Sequence, residues 1–273
     1  MSLTNQVKAF AKKMLRKDVR VLKVPVPKGD EFSGRKALVV GGTGGIGRAI
    51  ASSLAMKGCA VAITGSSRQS LDAAMKTISA GIIGVELDVK NVSTFGNILK
   101  DVSERLGGLD TVVYSAGIHG GEDFGTVNEE TWDEVMAVNL KGAYFICQEA
   151  GNLMVGSGIR GHILIVGSAS ALKPGWTPYE ISKRGVQSFV LGAADRLIRH
   201  GVTVNCIAPG PVATKMLGRQ DKDDMGWSAN PSGRLATPAE IAELATYMVS
   251  DLGSLVVGDS FYITGGSGTI SNR

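Results

Sequence analysis

The strongest constraint on the fold is an alternation. From Lys36 onward, seven short and nearly unbroken apolar runs recur, and helix-like stretches alternate with them. The runs are KALVV (36–40), AVAIT (60–64), IIGVEL (82–87), DTVVY (110–114), HILIVG (162–167), VTVNCI (202–207) and SFYIT (260–264). A strand that is apolar on both faces has to be covered on both, which is the condition of a parallel sheet clothed by crossover helices. Right-handed crossovers then give a doubly wound α/β fold: a seven-stranded parallel sheet flanked by helices. At 273 residues the chain is long enough for one such core and scarcely for two, so residues 33–273 are expected to form one domain.

Residues 1–32 read differently. The chain carries a net charge of +4, of which this arm supplies +5 from eight bases and three acids, leaving the body near −1. A nearly neutral body lacks the basic footprint of a nucleic-acid binder. In the arm, Val7, Phe10, Ala11, Met14 and Leu15 follow the spacing of one helical face, and Pro25 and Pro27 prevent further helix. This basic N-terminal arm with its amphipathic helix is expected to pack on the body or on a neighbouring subunit, to fray as a tail, or to offer a surface to an acidic partner. Cys59, Cys147 and Cys206 lie in apolar stretches at wide spacing, which suits core thiols in a reducing compartment and neither a disulfide framework nor a metal site. No apolar run approaches the roughly 18 residues of a membrane span and no signal-peptide core follows the basic start, so a cytoplasmic protein is expected.

The stretch GGTGGIG at 41–47 follows the first strand and precedes a helix beginning near Gly45. In that context glycines let backbone approach a pyrophosphate, and the helix start presents free N–H groups. Three registers fit the same stretch. Gly42, Gly44 and Gly47 match G-x-G-x-x-G; Gly41, Gly44 and Gly47 match G-x-x-G-x-x-G; Gly41, Gly45 and Gly47 match G-x-x-x-G-x-G. The second strand is followed by Ser66-Ser67-Arg68, where an NAD enzyme of this Rossmann architecture places a carboxylate for the ribose 2′-hydroxyl. Here no acid precedes Asp72, whereas serine hydroxyls and a guanidinium suit a 2′-phosphate. NADP(H) is therefore favoured, with NAD(H) as the alternative if Arg68 belongs to the solvated face of the next helix. Asp88, followed by Val89, suits either adenine recognition or a cap on the next turn.

Three residues offer chemistry. Ser168 ends the fifth strand, Tyr179 follows on a helix, and Lys183 stands one turn further along the same face. An ammonium near a phenol is expected to lower the phenol's pKa toward the range useful for proton transfer. Ser168 offers the same oxygen a hydrogen bond. Together the groups suit protonation of a carbonyl oxygen during hydride arrival, or the reverse.

With GGTGGIG, the Ser168/Tyr179/Lys183 pattern, VNLKG (138–142), APGPVAT (208–214) and GRLATPAEIA (233–242), the chain strongly resembles the short-chain dehydrogenase/reductase family over roughly residues 34–266. The resemblance is to the compact single-domain branch, and it selects the register Gly41, Gly45, Gly47; the extended branch would need a larger C-terminal substrate region. It implies Tyr179 as general acid/base, Lys183 as its tuner and as a ligand of nicotinamide ribose, Ser168 as the group orienting the substrate carbonyl, and Asn139 as holder of a water linked to Lys183. Asn139 equally suits a polar position at a helix bend. The implied cofactor contacts are Gly41, Thr43, Gly45, Ile46 and Gly47; Ser66, Ser67 and Arg68; Asp88 and Val89; Ala116 and Gly117; Tyr179 and Lys183; and Pro209, Gly210, Val212 and Thr214. A homotetramer is also implied.

The chain departs from the family after the fourth strand, where Tyr114-Ser115-Ala116-Gly117 replaces Asn-Asn-Ala-Gly and two bracing amides are missing. The Ser168–Tyr179 segment is also slightly short. Pocket walls are expected from residues 118–124, 173–177 and 211–230, with Trp176, Met216, Met225 and Trp227 as apolar surface and His119 and Glu122 as polar anchors, each equally suited to packing or solvent. The general pattern most resembles 3-oxoacyl-carrier-protein reductases, which implies an NADPH-dependent ketoreductase and, through the basic arm, an acidic carrier protein as partner. The alternatives are a dehydrogenase of a sugar, polyol or other secondary alcohol, and a nucleotide-binding protein without turnover.

Overall fold

The computed structural model describes residues 31–78, 81–121, 123–219 and 225–270. The amphipathic segment of the arm and Glu122 lie outside the described residues. All seven expected strands form, as β1 (Lys36–Val40), β2 (Ala60–Gly65), β3 (Ile83–Glu86), β4 (Thr111–Tyr114), β5 (His162–Val166), β6 (Thr203–Pro209) and β7 (Ser260–Ile263). They make one sheet in the order β3-β2-β1-β4-β5-β6-β7, and every pairing is parallel.

The helices are α1 (Gly45–Met56), α2 (Arg68–Ile78), α3 (Phe95–Leu106), α4 (Glu129–Met136), α5 (Ala143–Gly156), α6 (Pro178–Leu197) and α7 (Pro238–Met248), with a wider π turn over Ala137–Gly142 joining α4 to α5. Two apolar layers result. One packs α3, α5 and α6 on the sheet around Phe95, Leu99, Ile146, Met154, Val186 and Val190. The other packs α1, α2 and α7 on the opposite face around Ile50, Leu54, Leu71, Ile241 and Met248. Because β1, β2, β4 and β5 point side chains alternately into both layers, their sequences read as continuous apolar runs rather than alternating ones. Cys59, Cys147 and Cys206 are buried free thiols. Phe32 is a core residue too: its side chain joins the second layer and its N–H donates to the Lys57 carbonyl at 2.9 Å, so the body reaches at least to Phe32.

The strand order turns back between β1 and β4, whose C-terminal ends are in register at Val40 and Tyr114. In open α/β sheets this reversal leaves a crevice beyond the carboxyl ends of the strands, because the following segments diverge to opposite faces. The glycine loop leaves β1 at that edge, Ser115-Ala116-Gly117 leaves β4, Ser168 follows β5, and Gly210 follows β6.

Candidate active site

Gly41 adopts φ +75°, and a Cβ there would stand 2.7 Å from the Ala116 backbone nitrogen. A Cβ at Gly45 would stand 2.8 Å from the Thr214 methyl, and one at Gly47 would collide with the Gly41 carbonyl oxygen. At Gly44 the nearest atom would be 3.4 Å away, an ordinary contact. Close approach therefore requires glycine at 41, 45 and 47 and not at 44, which is the register expected for the compact branch. Gly42 is also tight, with Ile63 2.6 Å from its would-be Cβ, which accounts for a fourth glycine by packing alone. The Gly41 N–H donates to the Thr64 hydroxyl at 3.2 Å, and no side chain caps the α1 N-terminus at Gly44. The first-turn N–H groups are thus left for an anion. Thr43 packs its methyl against Gly65, Ile46 lies against the second core layer, and Thr214 folds over Gly45. A parallel bridge between Val212 and Ala236 secures the segment carrying Thr214, and the Thr264 backbone packs so tightly on Gly210 that its carbonyl oxygen would meet a Cβ at 2.7 Å. A nucleotide's phosphates fit this cradle, which a single Cβ would fill.

Beyond β2, Ser66, Ser67 and Arg68 are exposed, and the side chains of Ser67 and Arg68 have local duties. The Ser67 hydroxyl accepts from the Ser70 N–H at 3.3 Å and starts α2, while Arg68 Nε pairs with Asp72 at 3.0 Å across one helical turn. Asp88 is exposed, and one of its oxygens accepts from the Lys90 N–H at 2.9 Å, the capping alternative.

Thr177-Pro178-Tyr179-Glu180 sets the position of Tyr179. Thr177 caps α6, Pro178 enters the first turn, and Glu180 reaches back to the Thr177 N–H at 3.1 Å, completing a capping box. Tyr179 is consequently fixed in the first turn, half-buried, with Lys183 one turn below it and buried. Lys183 Nζ lies 5.7 Å from the Tyr179 ring centroid and donates to the Val166 carbonyl at 3.1 Å. Burial pushes the Lys183 ammonium down to about 8, an effect partly opposed by Cys206. The expected lowering of Tyr179 is not what the site produces. Burial raises the phenol, the Ser168 hydroxyl beside it works in the opposite direction, and Glu180 raises it further. Desolvation of the phenolate outweighs a lysine that is itself desolvated and turned toward a carbonyl.

Asn139 sits in the π turn with both ends of its amide engaged. Its oxygen accepts from the Ile118 N–H at 2.9 Å, and its nitrogen donates to the Ile118 carbonyl at 2.9 Å and to the Ser182 hydroxyl at 3.2 Å. Ser182 in turn donates to the Tyr179 carbonyl at 2.7 Å, so the clamp ties the post-β4 loop to the helix that carries Tyr179. Asn139 and Lys183 meet at Gly117, where a Cβ would stand 3.4 Å from Lys183 Nζ and 3.5 Å from Asn139 Oδ1. The bend and the site thus share one asparagine.

Three contributors escaped sequence reasoning. Tyr114, counted as the loss of a bracing amide, is buried and its hydroxyl donates to the Val138 carbonyl at 2.5 Å, holding the π turn beside Asn139. Burial pushes this phenol well above its ordinary value, so it stays a donor at any working pH. Ser182 and Thr64 are the others; neither stands in a motif, although the Thr-Pro-x-Glu cap was a legible sign of where α6 begins. The pocket walls remain separate loops: Trp176, Met216 and Phe124 are 63%, 53% and 81% exposed, whereas Met225 and Trp227 are half-buried. Among the described residues no cluster suits a metal ion, and no helix is long and apolar enough to cross a membrane.

The family model described as enoyl-(acyl carrier protein) reductase matches residues 41–268. The chain is 33% identical to L-rhamnose 1-dehydrogenase (NAD(P)(+)) of Sphingomonas sp. (strain SKA58) over 245 residues, covering 86% of this chain and 96% of that one. It is 32% identical to the 3-oxoacyl-acyl-carrier-protein reductase FabG of Haemophilus influenzae, covering 86% of this chain and 98% of that one. A crystal structure of a putative short-chain alcohol dehydrogenase from Sinorhizobium meliloti 1021 superposes with a TM-score of 0.79 at 31% identity, covering 86% of this chain and 96% of that chain. A glycine cradle at the sheet's switch point, a Ser/Tyr/Lys constellation beside it and relatives of nearly equal length agree, and the chain belongs to the short-chain dehydrogenase/reductase family of oxidoreductases acting on CH–OH and C=O groups.

Proposed function

We propose that this protein is an NADP(H)-dependent reductase that converts a ketone to a secondary alcohol, with Tyr179 as general acid. The observation that carries the proposal is the convergence of Lys183 Nζ and Asn139 Oδ1 on Gly117, one helical turn from Tyr179 and at the same sheet edge as the glycine cradle. Gly41, Thr43, Gly45, Ile46 and Gly47 would hold the pyrophosphate, Ser66 to Arg68 the 2′-phosphate, Asp88, Val89, Ala116 and Gly117 the adenosine, and Lys183, Pro209, Gly210, Val212 and Thr214 the nicotinamide end. When bound, the nicotinamide supplies the hydride.

The chain's own part is the proton. The Tyr179 O–H bond breaks as the substrate oxygen takes the proton, and the phenolate left behind lies near the Lys183 ammonium. Ser168 keeps the oxygen in line. Burial keeps the phenol protonated, which is the form needed for reduction. Asn139 serves this chemistry by holding the loop and the helix together, and a water between it and Lys183 would return the proton. The family relatives named for 3-oxoacyl reduction favour a 3-oxoacyl thioester or ketoester; the rhamnose dehydrogenase supports the second reading, oxidation of a sugar or polyol.

The body from Phe32 onward is proposed as the catalytic unit, working in the cytoplasm as a homotetramer. An apolar cleft of about 740 Å³ lined by Met136, Leu140, Tyr144, Phe145 and Phe189 on α4 to α6 supports self-association, since none of the proposed catalytic residues lines it. The basic arm would attract an acidic carrier protein. Deleting residues 1–28 should then raise KM for a carrier-bound substrate and spare the free ketoester; equal effects on both would sink the carrier idea. Fluorescence titration with NADPH and NADH tests the cofactor preference: tighter NADPH binding, lost in Arg68→Ala, supports it, and tighter NADH binding reverses it.

A further inference from the structure

His119 is exposed, yet its ring is engaged on two sides. Its ring lies against Tyr179 with centroids 4.6 Å apart and planes tilted by 41°. The residue before it, Ile118, has both backbone polar groups clamped by Asn139, which fixes the point from which His119 projects. Its Nδ1 accepts the Gly121 N–H at 3.0 Å, so in the neutral ring the proton resides on Nε2. A free histidine on a solvated loop needs none of these three restraints. Together they leave one N–H donor, held beside the phenol that meets the substrate's carbonyl oxygen.

We infer that His119 is a substrate-binding residue whose Nε2–H donates to a second acceptor group on the substrate, so that the enzyme selects ketones carrying an ester, thioester, carboxylate or hydroxyl oxygen close to the reacting carbonyl. This rests on the proposed role of Tyr179 and adds the residue that would read the substrate's second acceptor. The ring contact and the donor are separate contributions: phenylalanine at 119 keeps the first and removes the second. A ketone without the second acceptor has nothing to offer Nε2–H, so it should lose little in that variant.

The test compares kcat/KM for ethyl acetoacetate with that for the straight-chain methyl ketone of the same length, using purified full-length enzyme and NADPH. The ratio cancels the fraction of active enzyme, so partial misfolding of a variant does not distort it. Wild type should favour the ketoester, and His119→Phe should lower the ratio about 3- to 10-fold, mainly through KM, the loss associated with one hydrogen bond. His119→Gln, which restores an N–H donor, should bring the ratio back toward wild type. An unchanged ratio in His119→Phe, or a wild-type enzyme indifferent to the ester, overturns the inference. Tyr179→Phe run alongside separates the two claims: full turnover in that variant defeats the proposed acid, whereas its collapse together with an unmoved His119→Phe ratio defeats His119 alone.

Discussion

At each end of strand β5 a basic side chain is held out of water. His162 opens the strand, and burial pushes its imidazole down to about 4; Lys183 lies against the other end, at Val166, and burial pushes its ammonium down to about 8. The physical penalty is the same, and what differs is how it is met. His162 Nδ1 is paired with the Thr203 hydroxyl at 2.8 Å, in a corner where Asp110 also takes the Lys36 N–H and the Thr111 hydroxyl, at 2.9 Å each, and Arg35 Nε lies 3.0 Å from the same carboxylate. Lys183 has three donors and gives one to a carbonyl, beside a glycine that leaves room. A displaced pKa alone therefore does not mark function in this molecule. What sets Lys183 apart is its place beside Gly117 at the carboxyl end of the sheet, next to the proposed acid.

The largest break of the comparison is expected at Tyr179. Tyr179→Phe should lower kcat by about 10²- to 10⁴-fold, the range of general acid catalysis, while NADPH affinity by fluorescence stays near wild type. Unaltered turnover would move the acid elsewhere. Lys183→Met should follow, with a loss on the order of 10²-fold. It should also change stability with a definite sign. The folded Lys183 titrates at about 8 and the unfolded lysine at 10.5, so the unfolded chain binds more protons between them and wild type gains stability as pH rises through that window. Denaturant melts should therefore show wild type gaining on Lys183→Met from pH 8 to pH 10; parallel curves would mean the ammonium is not desolvated.

A smaller separation is expected within the glycine loop. Gly45→Ala should weaken NADPH binding by about 10-fold, because its Cβ meets Thr214 and overpacking of this size costs about 1–3 kcal/mol, whereas Gly44→Ala should be nearly silent. Equal losses at both positions would deny the register. The smallest effect on turnover belongs to His162. His162→Gln should leave kcat near wild type and alter only the acid side of the stability curve. The buried neutral imidazole lets the unfolded state bind more protons between about 4 and 6.5, so wild type loses stability as pH falls through that range, and the variant should lose less.

Much of the fold was legible because both faces of the sheet are covered, which wrote each strand as a continuous apolar run. The glycine loop and the Tyr179/Lys183 pair were legible for a different reason: close backbone approach admits only glycine, and a helical turn fixes a four-residue spacing. Tyr114 was misjudged, since absence of the expected amide hid the hydroxyl that takes over the brace from another direction. The direction of the Tyr179 shift was missed because spacing reports proximity to Lys183 and says nothing of desolvation, which depends on everything packed around the ring. Arg68 could not be assigned from the sequence either. Its pairing with Asp72 arises from the start of α2, a boundary that Ser67 sets through a local hydrogen bond.

The most direct test of the central claim is the fate of the hydride. Purified enzyme would be given NADPH carrying deuterium at the reactive nicotinamide carbon together with ethyl acetoacetate, and the product examined by mass spectrometry. A hydroxyester with one deuterium on its carbinol carbon is expected, formed by wild type and nearly absent with Tyr179→Phe. Tight NADPH binding with no labelled alcohol from any ketone in a panel of ketoesters, keto sugars and quinones would contradict it and leave a protein that keeps the cradle without the reaction.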